Sequence, residues 1–457
     1  MAENLHPGST GWIMGGSGYQ IATDRGAEIK GYASDTSVDA GQHITLFASV
    51  SPAQPLKIDI YRLGWYGGTG GRLMVAGTWL PGVTQQDCPI DAVTGLRVCD
   101  WLPTIRFTVP SSWVSGIYLA VLTNDRHFQN GVSFVVRADA RTAPLLYIQP
   151  VTTYQAYNTW PTNGTGRSLY AAAKVSFDRP YANDGLGRSF FDFEQPVVAW
   201  IERAGYDVTY ATSIDLHRQG AALLLRHRAM VTAGHDEYWT AEMKAAATTA
   251  VAGGISMAFF SANNIYWQAR LESGPDQRPD RVLVCYRDAA LDPEPTTALK
   301  TVRWRDPPVS QPEQTLLGAE YTNMVAGRAP WVVSDASNWV YRGTGLSNGQ
   351  LIANLVWGES DRQPDFPGQA PVTVLLSDSP FQTRYGGTDR SQAVLYQAAS
   401  GGWVFNASTF GWPEAINPFG QPNPGVERMT SNLLDRMMSA KAPLWPTRRG
   451  FLARDER

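Results

Sequence analysis

A chain of 457 residues, 43% hydrophobic and 17% charged, is long enough for two or three domains, and its formal net charge of −3 supplies neither a basic face for nucleic acid nor an acidic tail. No apolar run is long enough to cross a bilayer, and the first twenty residues lack the basic start and apolar core of an export signal. Neither nucleic acid nor a membrane is an expected partner, and two domains are expected.

Residues 1 to about 24 read as irregular. From there to about residue 137 the pattern is all β: Ile44, Leu46 and Ala48, then Ile58 and Ile60, Ile105 and Phe107, Tyr118, Ala120 and Leu122, and Val132 and Phe134 recur at period two between turn clusters. Short strands at this spacing predict an N-terminal immunoglobulin-like β-sandwich over residues 1–141. The run Tyr61-Arg62-Leu63-Gly64-Trp65-Tyr66 fits a bulged strand with packed aromatics better than a contact surface. Cys88 and Cys99 lie in one loop while Cys285 stands alone. A disulfide in an oxidising compartment and two free cytosolic thiols give the same letters, so the expected location is cytoplasmic by default and exported if the pair is bonded.

Beyond a linker at 137–144 the architecture changes. Apolar strands at Leu145 to Ile148, Val208 to Ala211, Ala229 to Thr232 and Ile255 to Phe260 alternate with helical segments, notably one near Phe193 to Gly205, a weaker one over Leu216 to Arg226, and Ala241 to Ala252 after a Thr240 cap. That alternation predicts an α/β domain over 142–457 with a mainly parallel sheet. Residues 270–330 read as an irregular insertion or lid. Val372 to Leu376, Ala393 to Tyr396 and Gly402 to Asn406 read as further strands, and Arg428 to Ala440 as a closing helix.

Polar residues gather where these strands end. The first strand is followed by Tyr154, Gln155, Ala156, Tyr157 and Asn158, the third by His235, Asp236 and Glu237, the fourth by Asn263 and Asn264, and the last by Ser408 and Thr409. In open α/β sheets the crevice beyond the strands' carboxyl ends is where ligands bind. Carboxylates also favour helix starts on dipole grounds alone, so Glu237 by itself is an incomplete signal. No cysteine falls at these ends, and there is no G-x-S-x-G elbow, no phosphate loop and no H-E-x-x-H pair. Tyrosines, a glutamate, asparagines and one histidine remain, which is oxygen-centred chemistry.

Gln155-Ala156-Tyr157-Asn158 with Ser168-Leu169-Tyr170, then Gly234-His235-Asp236-Glu237-Tyr238-Trp239, then Ser261-Ala262-Asn263-Asn264 resemble, in order, the C-terminal domain of the large subunit of the N,N-dimethylformamidase family. The preceding β region, with its Tyr61 to Tyr66 run, is similar to the sandwich found there. The resemblance implies a glutamine-amidotransferase-like domain without its cysteine, holding one mononuclear iron, Fe(III), for hydrolysis of a small formamide-like amide. It implies Tyr157, Tyr170 and Glu237 as metal ligands, with Tyr154 and Tyr181 as nearby alternatives. His235 and Asn263 would serve catalysis or the oxyanion, and Glu359, in Trp357-Gly358-Glu359-Ser360-Asp361, would be the base. A small accessory subunit or a homo-oligomer is the implied assembly.

Hard anionic oxygens suit a high-valent ion such as iron(III), and only a strong local charge makes a phenol ionise at neutral pH. Two other readings fit the same letters: a binding or surface module that keeps the fold without the chemistry, and metal-free hydrolysis by His235 with an acid. Each tyrosine taken singly is equally well a buried aromatic with a partnered hydroxyl.

Overall fold

The computed structural model describes residues 2–186, 190–364 and 371–439 and is β-rich, with several sheets and few helices. In the first part a six-stranded sheet, whose path runs Gln20–Ile21, Phe128–Arg137, Gly116–Asn124, Leu56–Leu63 and Gly71–Val75, with Ser37–Asp39 beside Phe128–Arg137, faces a three-stranded sheet of Ile29–Ala33, His43–Val50 and Ile105–Thr108. Ile44, Leu46, Ala48, Ile58, Ile60, Tyr118, Ala120 and Leu122 fill one core between them, as their period-two spacing requires.

The strand Gly116–Asn124 is buried at all nine positions. Its other face, with Ile117, Leu119 and Val121, packs in a second core with Tyr147, Val197, Trp200 and Tyr210. Arg62 crosses the same junction: its guanidinium meets the Glu202 carboxylate at 2.6 and 3.1 Å, and Tyr210 Oη donates to that carboxylate at 2.8 Å. Tyr61, Arg62 and Tyr66 are buried, and the pairing register shifts at Ile60/Tyr61, so the aromatic run is packed structure.

The second part holds a seven-stranded sheet ordered Val208–Thr212, Leu145–Gln149, Ala229–Ala233, Ser256–Phe260, Trp403–Asn406, Val394–Gln397, Val374–Leu375. The first five strands pair in parallel and the last two antiparallel. Alternate residues of its inner strands enter cores on opposite faces, Leu145, Tyr147 and Val231 on one and Leu146, Ile148 and Met230 on the other, as a sheet covered on both sides demands. The helix Ala241–Ala252 starts at Thr240, whose Oγ1 accepts from the Met243 amide. The predicted Leu216 to Arg226 helix is instead two, Ser213–Gln219 and Ala221–Leu224, broken at Gly220 with φ 59°.

Residues 270–330 are not irregular throughout. Lys174–Ser176, Val282–Val284, Trp267–Glu272 and Tyr238–Thr240 form a four-stranded sheet, and Glu320–Val332 pairs with Leu351–Arg362 in a long hairpin. The hairpin's registry shifts and mostly half-exposed residues erase the period-two signal, so tertiary pairing rather than pattern makes these strands. The closing helix runs Pro424–Ser439; Ala440 lies outside the described residues. Cys88 and Cys99 are disulfide-bonded and pack with Tyr32, Trp101 and Trp160. No helix among the described residues is long and apolar enough to cross a membrane.

His227, 6% exposed, sits just before the strand Ala229–Ala233 with its Nδ1 2.7 Å from the Ala143 carbonyl. Burial lowers its pKa from 6.5 to about 4. The unfolded chain therefore binds a proton that the native one refuses between those values, and stability falls as pH drops from 6.5 through 4, by at most about 3 kcal/mol. Urea midpoints across that window should fall less steeply in His227→Gln than in the wild type; equal slopes would refute this source.

Candidate active site

In the strand order Leu145–Gln149 lies beside Ala229–Ala233, and the strands of this sheet that follow them in the chain, Val208–Thr212 and Ser256–Phe260, flank that pair on opposite sides, so the connections leave these two strands in opposite directions. Such a switch point opens a crevice at the carboxyl ends of the two diverging strands. One of those ends leads into the helix Val151–Tyr157, and the other into Gly234 to Glu237.

Gly234 turns the chain at φ 87°, where a side chain would be strained and its Cβ would come within 3.3 Å of Tyr154 Oη. The following residues are then pinned individually. Asp236 accepts from Thr232 Oγ1 at 2.8 Å and from Trp239 Nε1 at 2.7 Å. The Glu237 and Tyr238 amides both donate to Thr153 Oγ1, at 2.9 and 3.1 Å, while the Glu237 carbonyl accepts from the amides of Tyr266 and Trp267. Glu237 itself has no exposure to solvent.

Around this carboxylate the structure brings together the other five site candidates named from the sequence. Tyr157 Oη donates to Glu237 Oε2 at 2.6 Å and lies 3.2 Å from Tyr170 Oη. Asn263 Nδ2 donates to Glu237 Oε1 at 3.3 Å. His235 Nε2 lies 3.5 Å from Glu237 Oε2 and 2.8 Å from Glu359 Oε2. Glu359 arrives on the hairpin strand Leu351–Arg362, outside the parallel sheet. Tyr157 and Phe410 flank the His235 ring with centroids at 5.2 and 5.0 Å. Tyr154 turns instead toward Glu194, and Tyr181 lies beside Arg179 and Arg281.

Burial, with Glu237 next to it, pushes the Tyr157 phenol far above its usual value, and the same two causes push Tyr170 up to about 12. Burial also raises Glu237. For His235 burial acts downward, yet the Glu359 and Glu237 carboxylates outweigh it and lift the imidazole to about 9. The protonated ring is then the charge that two nearby carboxylates share.

Two phenol oxygens and a carboxylate form a hard donor set, and a cation among them would reverse the upward pressure on both phenols, so these residues fit such an ion. Three polar atoms near the carboxylate, His235 Nε2, Asn263 Oδ1 and Glu359 Oε2, are buried with no aligned hydrogen-bond partner among the described residues, although the first and last stand at ion-pair distance. No group of three His, Cys, Asp or Glu among the described residues could hold a metal ion, so a site here depends on its tyrosines.

A family profile described as "N,N-dimethylformamidase beta subunit-like, C-terminal" matches residues 57–426. The chain belongs to this family. Two curated relatives are N,N-dimethylformamidase beta subunits: that of Paracoccus aminophilus is 24% identical over 315 residues, 58% of this chain and 39% of the relative, and that of an Alcaligenes species is 22% identical over 432 residues, 74% of this chain and 54% of the relative. The large-subunit designation expected from the sequence is thereby corrected to beta subunit. The chain spans only about half the length of these relatives or less. A glucanotransferase structure from a Paenibacillus species overlaps 79% of this chain and 68% of its own at 9% identity, with a TM-score of 0.18, too low to indicate a shared fold.

Sequence reading of this family member missed the residues that hold the site from behind. Asp361 Oδ1 accepts from the Asn263 amide at 2.7 Å and Oδ2 from Asn406 Nδ2 at 3.0 Å, tying the hairpin to two strand-end loops. Asn263 is held at φ 53°, a conformation Asn tolerates better than most residues. The available signal was spacing: Asp361 is two residues beyond Glu359 on one strand, hence on its face. Asp361→Ala should cost about 1–3 kcal/mol in thermal unfolding by orphaning a buried amide; an unchanged melting temperature would show that the Asn263 loop needs no such tie.

Proposed function

We propose that this site hydrolyses the C–N bond of a small, formamide-like amide with the help of one iron ion, held by Tyr157, Tyr170 and Glu237. The observation that carries the reading is the meeting of those three oxygen donors, from three separate segments, beside His235, Asn263 and Glu359. When bound, the iron would supply Lewis acidity toward a carbonyl oxygen. The chain's own residues supply the rest.

Asn263 Nδ2 is a donor for the carbonyl oxygen, on which negative charge grows as water attacks the carbon. Glu359 takes the proton that the attacking water loses. His235 Nε2, 2.8 Å from Glu359, gives a proton to the departing nitrogen as the C–N bond breaks, leaving a carboxylic acid and an amine. The Phe410 and Tyr157 rings limit the water around that imidazole.

The same reading takes the domain as 142–457 and glutamine-amidotransferase-like, supported by five parallel strands and a switch point between Leu145–Gln149 and Ala229–Ala233. It includes a companion subunit, since the relatives are named as subunits, and an oxidising compartment, since Cys88 and Cys99 are bonded.

Purified protein should be tinted by phenolate-to-iron charge transfer and carry roughly one iron per chain by elemental analysis. Glu237→Ala should lose the iron, whereas Glu359→Gln should keep it and lose about 10²–10⁴-fold in formamide hydrolysis. Colourless protein without metal or turnover would instead favour a binding module that retains the fold alone.

A further inference from the structure

The residue that delivers the second phenol, Tyr170, is 48% exposed and lies in a loop, so its position needs an external hold. We propose that the disulfide-closed hairpin of the N-terminal β region is that hold: Cys88–Cys99 fixes a clamp whose tip grips residues 171–174 and so positions Tyr170 against Tyr157 and Glu237. The inference rests on the site reading given under the proposed function, and it assigns to the disulfide a role in assembling a site that lies in the other half of the chain.

The clamp is built from a short stretch. Ile90 and Arg97 form an antiparallel bridge just inside the two cysteines, so the disulfide staples the base of a tight hairpin. Asp91 organises its turn, accepting from the Thr94 amide and hydroxyl at 2.6 Å each, and the Gly95 amide returns to the Asp91 carbonyl at 2.9 Å. That turn leaves the Thr94 carbonyl facing outward. It accepts from the Ala173 amide at 2.7 Å and from the Lys174 amide at 3.3 Å, three and four residues after Tyr170.

Two further contacts make the grip specific. Gly95, at φ 75°, sits so close to the loop that a Cβ there would come within 2.6 Å of Ala172 Cβ. Below it, the Arg97 guanidinium donates to the Cys88 carbonyl at 2.5 Å and to Thr165 on the approach to Tyr170. The Cys99 amide donates to the Asp178 carbonyl at 2.8 Å, so the staple is anchored on the far side of the same segment. On the catalytic half, Arg287 lies over the Tyr170 ring at 4.9 Å and donates to its carbonyl at 2.9 Å. Tyr170 is thus held from both halves, and only the N-terminal side depends on a covalent bond.

A staple at a hairpin base acts by limiting the open conformations available to it. Without the bond the hairpin samples them, the Thr94 carbonyl leaves the Ala173 amide, and the loop that carries Tyr170 loses its tie to the N-terminal half. The test is hydrogen exchange on the full chain, comparing wild type with the Cys88→Ser/Cys99→Ser double variant, alongside iron content and the charge-transfer band. We expect about tenfold faster exchange in the peptide covering 165–176 as well as in the hairpin itself, unchanged exchange in the strands Ala229–Ala233 and Ser256–Phe260, and a weaker band. Gly95→Val, which keeps the disulfide and pushes Ala172 away, should raise exchange in the same peptide, and it serves where the double variant does not fold. Unaltered exchange over 165–176 in either variant that folds would overturn the clamp. Wild-type protein that takes up no iron would instead overturn the metal reading, with the exchange result still deciding the clamp.

Discussion

Everything at the candidate site follows from one constraint: a carboxylate with no access to water, Glu237, must find its partners inside the protein. Burying an ionised group alone is prohibitive, so the fold has to bring donors to it. Tyr157 comes from the end of the helix after one strand, Asn263 from the loop after another, and His235 from the carboxylate's own loop. Those positions exist because neighbouring parallel strands all end at the same edge of the sheet. Glu237 does not decorate the sheet. The strand order is what makes its burial tolerable.

The β half is tied to this arrangement more closely than a linker would require. The strand Gly116–Asn124 serves two cores at once, and the ion pair of Arg62 with Glu202 is buried at the junction. Removing one member of such a pair strands a charge, which makes the junction costly to open. The relative placement of the halves is therefore fixed by packing and charge together. That rigidity is what allows a hairpin from one half to support a loop of the other.

The amino-acid order displays the strands and helices whose pattern survives tertiary contact. Ala229–Ala233 and Ala241–Ala252 are visible because an apolar run, a glycine and a capping threonine follow in sequence. Six candidate site residues could be named because their motifs resemble those of a known family, not because spacing proclaims a ligand set. Elsewhere the letters mislead for physical reasons. Leu119 and Val121 are as apolar as Ala120 and Leu122, and an alternation taken as one-sided is two-sided. The hairpin that carries Glu359 has no clean period because its pairing shifts register three times. Thr153 acts through two backbone amides, which no side-chain pattern announces.

A cluster of tyrosines, histidine and acids could be inert packing, with every polar atom paired. This one departs from that pattern in a particular way. The side chains that brace the frame behind it, Asp236, Thr153 and Asp361, each accept two hydrogen bonds. The atoms left without an aligned partner among the described residues include His235 Nε2, Asn263 Oδ1 and Glu359 Oε2, all beside Glu237. Buried polar atoms are rarely left unpaired, because each costs about 1–3 kcal/mol. Asn263 and Glu359 thus each keep an oxygen that the surrounding frame does not saturate, beside an imidazole whose Nε2 faces the two carboxylates.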